Sequence, residues 1–184
     1  MIDFTKSKQY TLSIRLSTDG FSFSIYNPIH DDSLSIIEKG IDASSSLTAN
    51  LKTLFHESDF LNHPYKRVNI MMAGKRFTIV PLELFEECAP QEEQAELLFY
   101  HNHQKKENET VLYNILRKNN VAVIFGIDKS AQTFLNEQYP EARFYSQSTP
   151  FIDYFSVKSR LGNSKKMYAS IRKDGIDIYC FERG

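Results

Sequence analysis

The chain contains the same short pattern twice, near its start and near its end. Residues 13–23 and 170–178 both read Ser-Ile-Arg, then a polar turn with Asp-Gly, then an alternating apolar strand. Glycine accepts a positive φ without a steric penalty, so Asp-Gly between alternating strands is a strong β-hairpin signal. The spacing from Arg to Asp is four residues in the first copy and two in the second. Because the difference is even, the side-chain alternation stays in phase, and the pattern predicts two related hairpins in a duplicated fold.

Composition limits the classes of protein to consider. The chain has 184 residues, is 41% hydrophobic and carries a net charge of −1, which is typical of a globular domain with a buried core. No basic excess points to nucleic acid, and no apolar run approaches the roughly 18 residues of a membrane span. The two cysteines, Cys88 and Cys180, are far apart, and no signal peptide is recognisable at the start. We therefore expect a cytoplasmic protein with reduced thiols.

Hydrophobic periodicity predicts alternating strands and helices. Residues 10–41 predict a three-stranded antiparallel meander, and the apolar run 68–73 predicts a buried strand beside it. Helices are expected at 47–57, on both sides of Pro90, at 129–139 and from Pro150 to Gly162-Asn163; strands are expected at 76–80, 111–116, 121–126 and 143–146, and an exposed loop at 101–110. The side chains expected in the core include Leu12, Ile14, Leu51, Leu54, Ile70, Val123 and Phe125.

This order of elements resembles the actin-like ATPase superfamily, whose members consist of two ribonuclease-H-like halves in tandem. Residues 121–126 are similar to a buried strand of that family, 130–135 to its next helix, and 144–155 to its Asn-Glu-Pro segment and following helix. Residues 167–181 lie where the family begins its second phosphate hairpin. More narrowly, the chain resembles an uncharacterised bacterial family with this fold. The resemblance implies an α/β fold with a β-β-β-α-β-α-β-α half, followed by the first hairpin of a second half.

The residues that carry the superfamily's chemistry are altered in this chain. Active members end the first strand of each half in Asp-x-Gly, where the acid holds metal or positions water and the glycines approach phosphate. Alignment of the strands puts Arg15 and Arg172 at those acids, and Ser17 and Lys173 at loop glycines. The acidic residue expected before Pro150 is replaced by Gln147-Ser148-Thr149. A guanidinium neither binds Mg²⁺ nor accepts a proton, so the pattern argues against hydrolysis of ATP.

Two interpretations of the hairpin tips remain open at this point. The residues Arg15, Asp19, Gly20, Arg172, Asp174 and Gly175 are candidates for binding a nucleotide or another anion, because arginine and turn backbone amides both bind phosphate. The alternative is ordinary hairpin turns with solvated or ion-paired arginines. Three weaker candidates are expected to be structural: His101-Asn102-His103 has no third metal ligand, Gly74-Lys75 lacks a phosphate-loop pattern, and Cys88 lies among glutamates that raise a thiol pKa.

The sequence thus favours a non-catalytic relative of the actin-like ATPases that binds a protein partner or acts as a scaffold. A protein in that role needs no cofactor. The alternative is an ATP-binding ATPase or kinase-like enzyme that uses ATP and Mg²⁺ in a rearranged site. We expect residues 1–163 to form the first half, with an insertion at about 76–118, and residues 164–184 to form the opening hairpin of a second half. A hairpin alone is marginal in water, so we expect further polypeptide to follow it.

Overall fold

The computed structural model describes residues 2–29, 34–87, 90–160, 165–172 and 175–181, and for Arg172 it describes the backbone alone. Its strands are β1 (Thr11–Ser17), β2 (Gly20–Tyr26), β3 (Leu34–Lys39), β4 (Arg67–Ala73), β5 (Phe77–Pro81), β6 (Glu109–Leu116), β7 (Val121–Asp128), β8 (Arg143–Ser146), β9 (Lys166–Arg172) and β10 (Gly175–Phe181). Its helices are α1 (Leu47–Glu57), α2 (Leu82–Glu86), α3 (Gln91–Asn102), α4 (Lys129–Gln138) and α5 (Ser148–Arg160). Across these residues, no helix is long and apolar enough to cross a bilayer.

The main sheet has five strands in the order β3-β2-β1-β4-β8. The first three strands form the predicted antiparallel meander, while β1, β4 and β8 run parallel. Parallel neighbours need a crossover connection, and α1 supplies it between the meander and β4. The predicted meander beside the 68–73 strand is therefore confirmed.

Strict alternation along β1 and β2 divides the main sheet into an apolar face and a polar face. Leu12, Ile14 and Leu16 are buried on one side, and α1 and α4 complete the core there. Both helices begin at the cap that local chemistry favours: the side chains of Ser46 and Asp128 accept hydrogen bonds from first-turn amides. All seven side chains predicted for the core are buried.

A second sheet has three strands, which follow β4 and precede α4 in the sequence. Their order in the sheet is β5-β7-β6. The predicted hairpin of β6 and β7 is present, and β5 pairs with the other edge of β7. Val123 and Phe125 are buried on β7, so the strand similar to the superfamily's buried strand belongs to this second sheet and not to the main one. Helices α2 and α3 cover a core of their own with β7, around Phe85 and Phe99.

A partly buried ion pair joins the two outer strands of the second sheet, at the end where both β5 and β6 begin. Arg76 donates from Nε and Nη2 to the two carboxylate oxygens of Glu109, at 2.7 and 2.6 Å, and Nη2 also donates to the Gln104 carbonyl. The Glu109 hydrogen bonds raise the pKa of Arg76. A side chain on Gly126 would collide with the Glu109 carboxylate, so this glycine leaves the space that the pair occupies. The bidentate geometry and these contacts account for the presence of Arg76 and Glu109, and no bound ligand is needed to explain the ion pair.

Asn114 on β6 joins the two sheets. Its side-chain nitrogen donates to the Phe144 carbonyl at 2.9 Å, and its side-chain oxygen accepts from the Ser146 amide at 3.0 Å and from the Thr149 hydroxyl at 2.7 Å. A single amide side chain therefore satisfies backbone groups on the edge of β8, where a further strand would otherwise pair. Asn114 is not among the candidate residues that the sequence predicts, and its signal in the sequence is a polar side chain inside an apolar strand.

One local element was not predicted, and one local expectation differs from the structure. The polar segment before β1 forms a short 3-10 helix over Phe4–Gln9, capped by the Asp3 carboxylate. The expected loop at 101–110 begins later, because α3 continues through Asn102. The predicted end of α5 at Gly162-Asn163 lies outside the described residues.

We predict that Asn114→Ala lowers the free energy of unfolding by about 2–3 kcal/mol, because the hydrogen bonds to Phe144, Ser146 and Thr149 are lost and two backbone groups of β8 lose their partner. For a chain of this length, the melting temperature should fall by roughly 5–10 °C. Asn102→Ala is the matched control, since Asn102 is exposed and makes one long intrahelical bond. That change should stay within about 0.5 kcal/mol. Equal effects of the two substitutions in urea denaturation would contradict the bridging role.

We also predict that stability falls at alkaline pH. Burial raises the pKa of Tyr65 to about 12 from 10.0, and its hydroxyl donates to the Phe60 carbonyl at 2.7 Å. Since the folded pKa lies above the unfolded one, the fold favours the neutral phenol. Its contribution is complete below pH 10 and is lost as the pH rises from about 10 through about 12. Urea titrations over this range should give a shallower decline for Tyr65→Phe than for the wild type; identical slopes would refute the assignment.

Candidate functional site

The parallel arrangement of β1, β4 and β8 brings their carboxyl ends to one edge of the main sheet. Ser17 pairs with Ala73 at the end of β1 and β4, and Met72 pairs with Ser146 at the end of β8. Ligands of open α/β sheets commonly bind at such an edge. It is also the edge at which the resemblance places the first phosphate hairpin, so the candidate site is built here.

Arg15 is the first sequence-predicted residue at this edge. It lies on the polar face of β1, because its neighbours Ile14 and Leu16 point into the core. Its Nε donates to the side-chain oxygen of Gln147 at 3.0 Å, and its Nη1 lies 3.9 Å from a carboxylate oxygen of Asp19. The guanidinium is thus engaged by the protein itself, with a short hydrogen bond and a longer ion pair.

Gln147 reaches Arg15 because it directly follows β8. Its backbone amide donates to the Met72 carbonyl at 2.8 Å, which extends the contact of β8 with β4 by one residue. From there its buried side chain spans β4 and meets β1. Arg15 and Gln147, two of the residues at which the resemblance implies a departure from the superfamily pattern, are therefore bonded to each other. A neutral amide oxygen suits a guanidinium donor, so the two replacements are chemically matched.

Asp19 is the second residue of the two-residue turn Thr18-Asp19 between β1 and β2, and Gly20 closes this turn as the cross-strand partner of Ser17. Gly20 has φ +148, and a Cβ atom there would lie 2.8 Å from the Lys39 carbonyl oxygen of β3. The glycine is therefore required by the backbone conformation and by the close approach of β3. The backbone geometry of the turn accounts for glycine at position 20, and no bound phosphate group is needed to explain it.

The second hairpin is antiparallel, as predicted, and forms a separate two-stranded sheet. Gly175 pairs with Arg172, just as Gly20 pairs with Ser17. The pairing register therefore equates Arg172 with Ser17, and this corrects the alignment of Arg172 with Arg15 that Ser-Ile-Arg suggested. A shared tripeptide is a weaker guide to equivalent positions in two hairpins than the turn is, because the turn sets the register of a hairpin. Asp174 and the Arg172 side chain lie outside the described residues.

A cavity of about 300 Å³ opens beside the first turn, on the apolar side of the sheet. Ser17, Thr18 and the segment 41–45 line it together with the start of α1. The Asp42 carboxylate at its rim accepts hydrogen bonds from the Ser44 amide and hydroxyl and from the Ser45 hydroxyl. These bonds, those of Ser44 first, lower the pKa of Asp42. The rim thus carries a stable negative charge, which disfavours a phosphate group there.

Of the weaker candidates, His103 has a structural role. The His103 ring nitrogen lies 3.2 Å from both the Thr78 hydroxyl and the Phe77 carbonyl, and the ring packs against Phe99. His103 thus anchors the end of α3 to β5. Within the described ranges, no group of three His, Cys, Asp or Glu side chains is arranged to hold a metal ion. Cys88 is outside those ranges.

These features define the class of protein: the chain has the actin-like ATPase fold. A crystallised protein of Bacteroides thetaiotaomicron, described as having an actin-like ATPase fold and unknown function, is 80% identical with a TM-score of 0.91. The match covers 100% of this chain and 69% of that chain. The cytoplasmic domain of EpsL, an inner membrane component of the type II secretion system of Vibrio cholerae, is 10% identical with a TM-score of 0.50, over 94% of this chain and 68% of that one, and supports the fold alone.

The family model described as protein of unknown function (DUF3822) matches residues 1–184. The chain belongs to this family. The search of curated proteins finds no match.

We predict that Arg15 and Gln147 are energetically coupled. Gln147→Met keeps the length of that side chain, Arg15→Met keeps its apolar stem, and each substitution removes the hydrogen bond. A double-mutant cycle in urea should give a coupling of about 1–2 kcal/mol, because the bond is charge-assisted and partly buried. The exposed pair Arg117 and Glu86, at 3.0 Å, serves as the comparison cycle and should give less than about 1 kcal/mol. Additive effects at Arg15 and Gln147 would rule out a significant bond between them in solution.

Proposed function

We propose that this protein is a non-catalytic member of the actin-like ATPase fold class that acts by binding a protein partner in the cytoplasm. The observation that supports this proposal best is the hydrogen bond from Arg15 to Gln147 at the carboxyl edge of the main sheet. At the position where the resemblance expects an acid for metal and water, the chain has a cation that is already bonded to the protein.

The chemistry of the two residues supports the same conclusion. A guanidinium stays protonated at any physiological pH, so Arg15 cannot act as a general base or coordinate Mg²⁺. An amide at position 147 has no basic oxygen that could orient water as a carboxylate does. Loss of both acids removes the groups that metal-assisted phosphoryl transfer requires.

ATP binding without hydrolysis is the second candidate, and the cavity beside the first turn favours it. Its volume of about 300 Å³ is at the lower limit of a ligand pocket. However, its described lining contains no lysine or arginine, and it contains the Asp42 carboxylate. A triphosphate bound there would meet uncompensated negative charge. We therefore rank this candidate below the non-catalytic one.

We predict that ATP with Mg²⁺ neither stabilises the protein nor is hydrolysed by it. A ligand at 100 times its Kd stabilises by about 2.7 kcal/mol, which corresponds to a melting-temperature increase of roughly 5–10 °C for a chain of this size. For this protein we expect any change in melting temperature on addition of ATP and Mg²⁺ to be within experimental error. Phosphate release should equal that of a blank without protein. Arg15→Asp should leave both results unchanged.

An active actin-like ATPase is the positive control for both assays. A melting-temperature increase in the range given above that saturates with ATP, without hydrolysis, would replace this proposal with the second candidate. Turnover of the wild-type chain that depends on Mg²⁺ would overturn both the non-catalytic role and the interpretation of Arg15.

A further inference from the structure

A cleft lies on the polar face of the main sheet, between the sheet and α5, and is here called the polar cleft. Its volume is about 370 Å³, which is within the range of small-molecule sites. Ser13, Asn69 and Met71 line it from the sheet. These side chains lie on the polar face, because their neighbours Ile14 and Ile70 are buried in the core on the other side. The polar cleft is therefore separate from the cavity beside the first turn, which opens on the apolar side of the sheet.

A second wall of the polar cleft is held in place by the rest of the fold. Thr149, Pro150 and Asp153 line it from the first two turns of α5, and Leu116 lines it from the end of β6. The Thr149 hydroxyl donates to the side-chain oxygen of Asn114 at 2.7 Å, so the start of α5 is fixed against β6. A ligand that enters a preformed cleft does not have to order its walls, and more of the interaction energy remains for binding.

The polar cleft contains two opposite charges that do not meet. Arg67 at the start of β4 and Asp153 on α5 both line it. Among the described residues, neither side chain forms an ion pair or a hydrogen bond, and the Asn69 amide two positions beyond Arg67 forms none either. By contrast, the guanidinium groups of Arg15 and Arg76 both donate to side chains of the protein. A charged cleft whose polar groups are not engaged internally can offer them to a ligand.

The arrangement favours a ligand that carries both charges. A carboxylate fits the planar fork of the Arg67 guanidinium, and the Asn69 amide adds a neutral donor beside it. An ammonium group fits the Asp153 carboxylate. The apolar side chains of Met71 and Leu116 line the same cleft and suit an apolar body. A dianion fits less well, because its second negative charge would be repelled by Asp153.

We propose that the polar cleft binds a small zwitterion with an apolar body, of the class of free apolar α-amino acids and their dipeptides. Arg67 holds the carboxylate, Asp153 holds the ammonium group, and the apolar body lies against Met71 and Leu116. Arg67 and Asp153 are exposed, so the ligand replaces water at both charges when it binds. This site goes beyond the proposed binding of a protein partner, and it does not depend on whether ATP binds at the carboxyl edge of the main sheet.

Isothermal titration calorimetry of this chain with leucine, phenylalanine and the dipeptide Leu-Leu tests the proposal. At least one of the three should bind with a Kd of roughly 1 mM or lower. Tighter binding of the dipeptide would mean that the two charges are too far apart for a single amino acid. The N-acetylated form and the C-terminal amide of the tightest ligand each lack one charge. Each should bind at least about tenfold more weakly, because a charged hydrogen bond is lost.

Variants of the protein test the same two contacts from the other side. Arg67→Gln and Asp153→Asn should each raise the Kd of the tightest ligand at least about tenfold. The matched control is Arg143→Gln, because Arg143 is exposed and pairs with Asn69 across the sheet but does not line the polar cleft. It should raise the Kd less than about threefold, since an exposed charge outside the cleft is screened by water and salt. All three variants should keep the melting temperature within about 3 °C.

Three results would overturn the proposal. The first is no detectable binding of any of the three ligands at about 10 mM. The second is equal affinity for the tightest ligand and its N-acetylated form, because the protein would then recognise an anion alone. The third is an equal effect of Arg67→Gln and Arg143→Gln, which would indicate general attraction by surface charge and no specific contact in the polar cleft.

Discussion

The structure depends first on the central position of β1 in the main sheet and on the alternation of apolar and polar side chains along this strand. This strand lies at the centre of the five-stranded sheet, antiparallel to β2 and parallel to β4. Its period-2 pattern puts Leu12, Ile14 and Leu16 into the core against α1 and α4, and puts Ser13, Arg15 and Ser17 on the opposite face. A shift of one residue in its register would bury Arg15 and expose the leucines, so the core and the candidate site are determined together.

At the carboxyl edge of that sheet, side-chain hydrogen bonds connect β1, the end of β8 and the second sheet. In an active phosphoryl-transfer site, charges are held ready for a ligand and are completed by metal and phosphate. Here the charge of Arg15 is satisfied from within, by Gln147 at 3.0 Å and more distantly by Asp19. The second sheet stabilises the same edge, since Asn114 holds the backbone of β8 immediately before Gln147. The polar groups of this edge therefore hold β1, β8 and the second sheet together.

The two hairpins of the chain differ in environment more than in sequence pattern. The first is part of a five-stranded sheet, and its turn is packed against β3 so closely that only glycine fits at position 20. The second has no further strand in the described part of the chain and is held by aromatic stacking on α5. On the face away from α5, its side chains Met167, Ile171, Ile176 and Ile178 are exposed.

The sequence alone determined the meander, the buried strand β4, the β6–β7 hairpin and the core positions, because side-chain alternation and turn residues are local properties of the chain. Through the resemblance it also drew attention to Arg15 and to the segment Gln147-Ser148-Thr149. Only the tertiary structure decided that the side chains of Arg15 and Gln147 are bonded, since they lie 132 positions apart and meet through strand order. The same is true of Asn114, whose partners belong to another sheet, and of Arg172, whose equivalence to Ser17 follows from hairpin register. Long-range pairing is set by how faces and edges pack, and a single sequence carries no local signal for it.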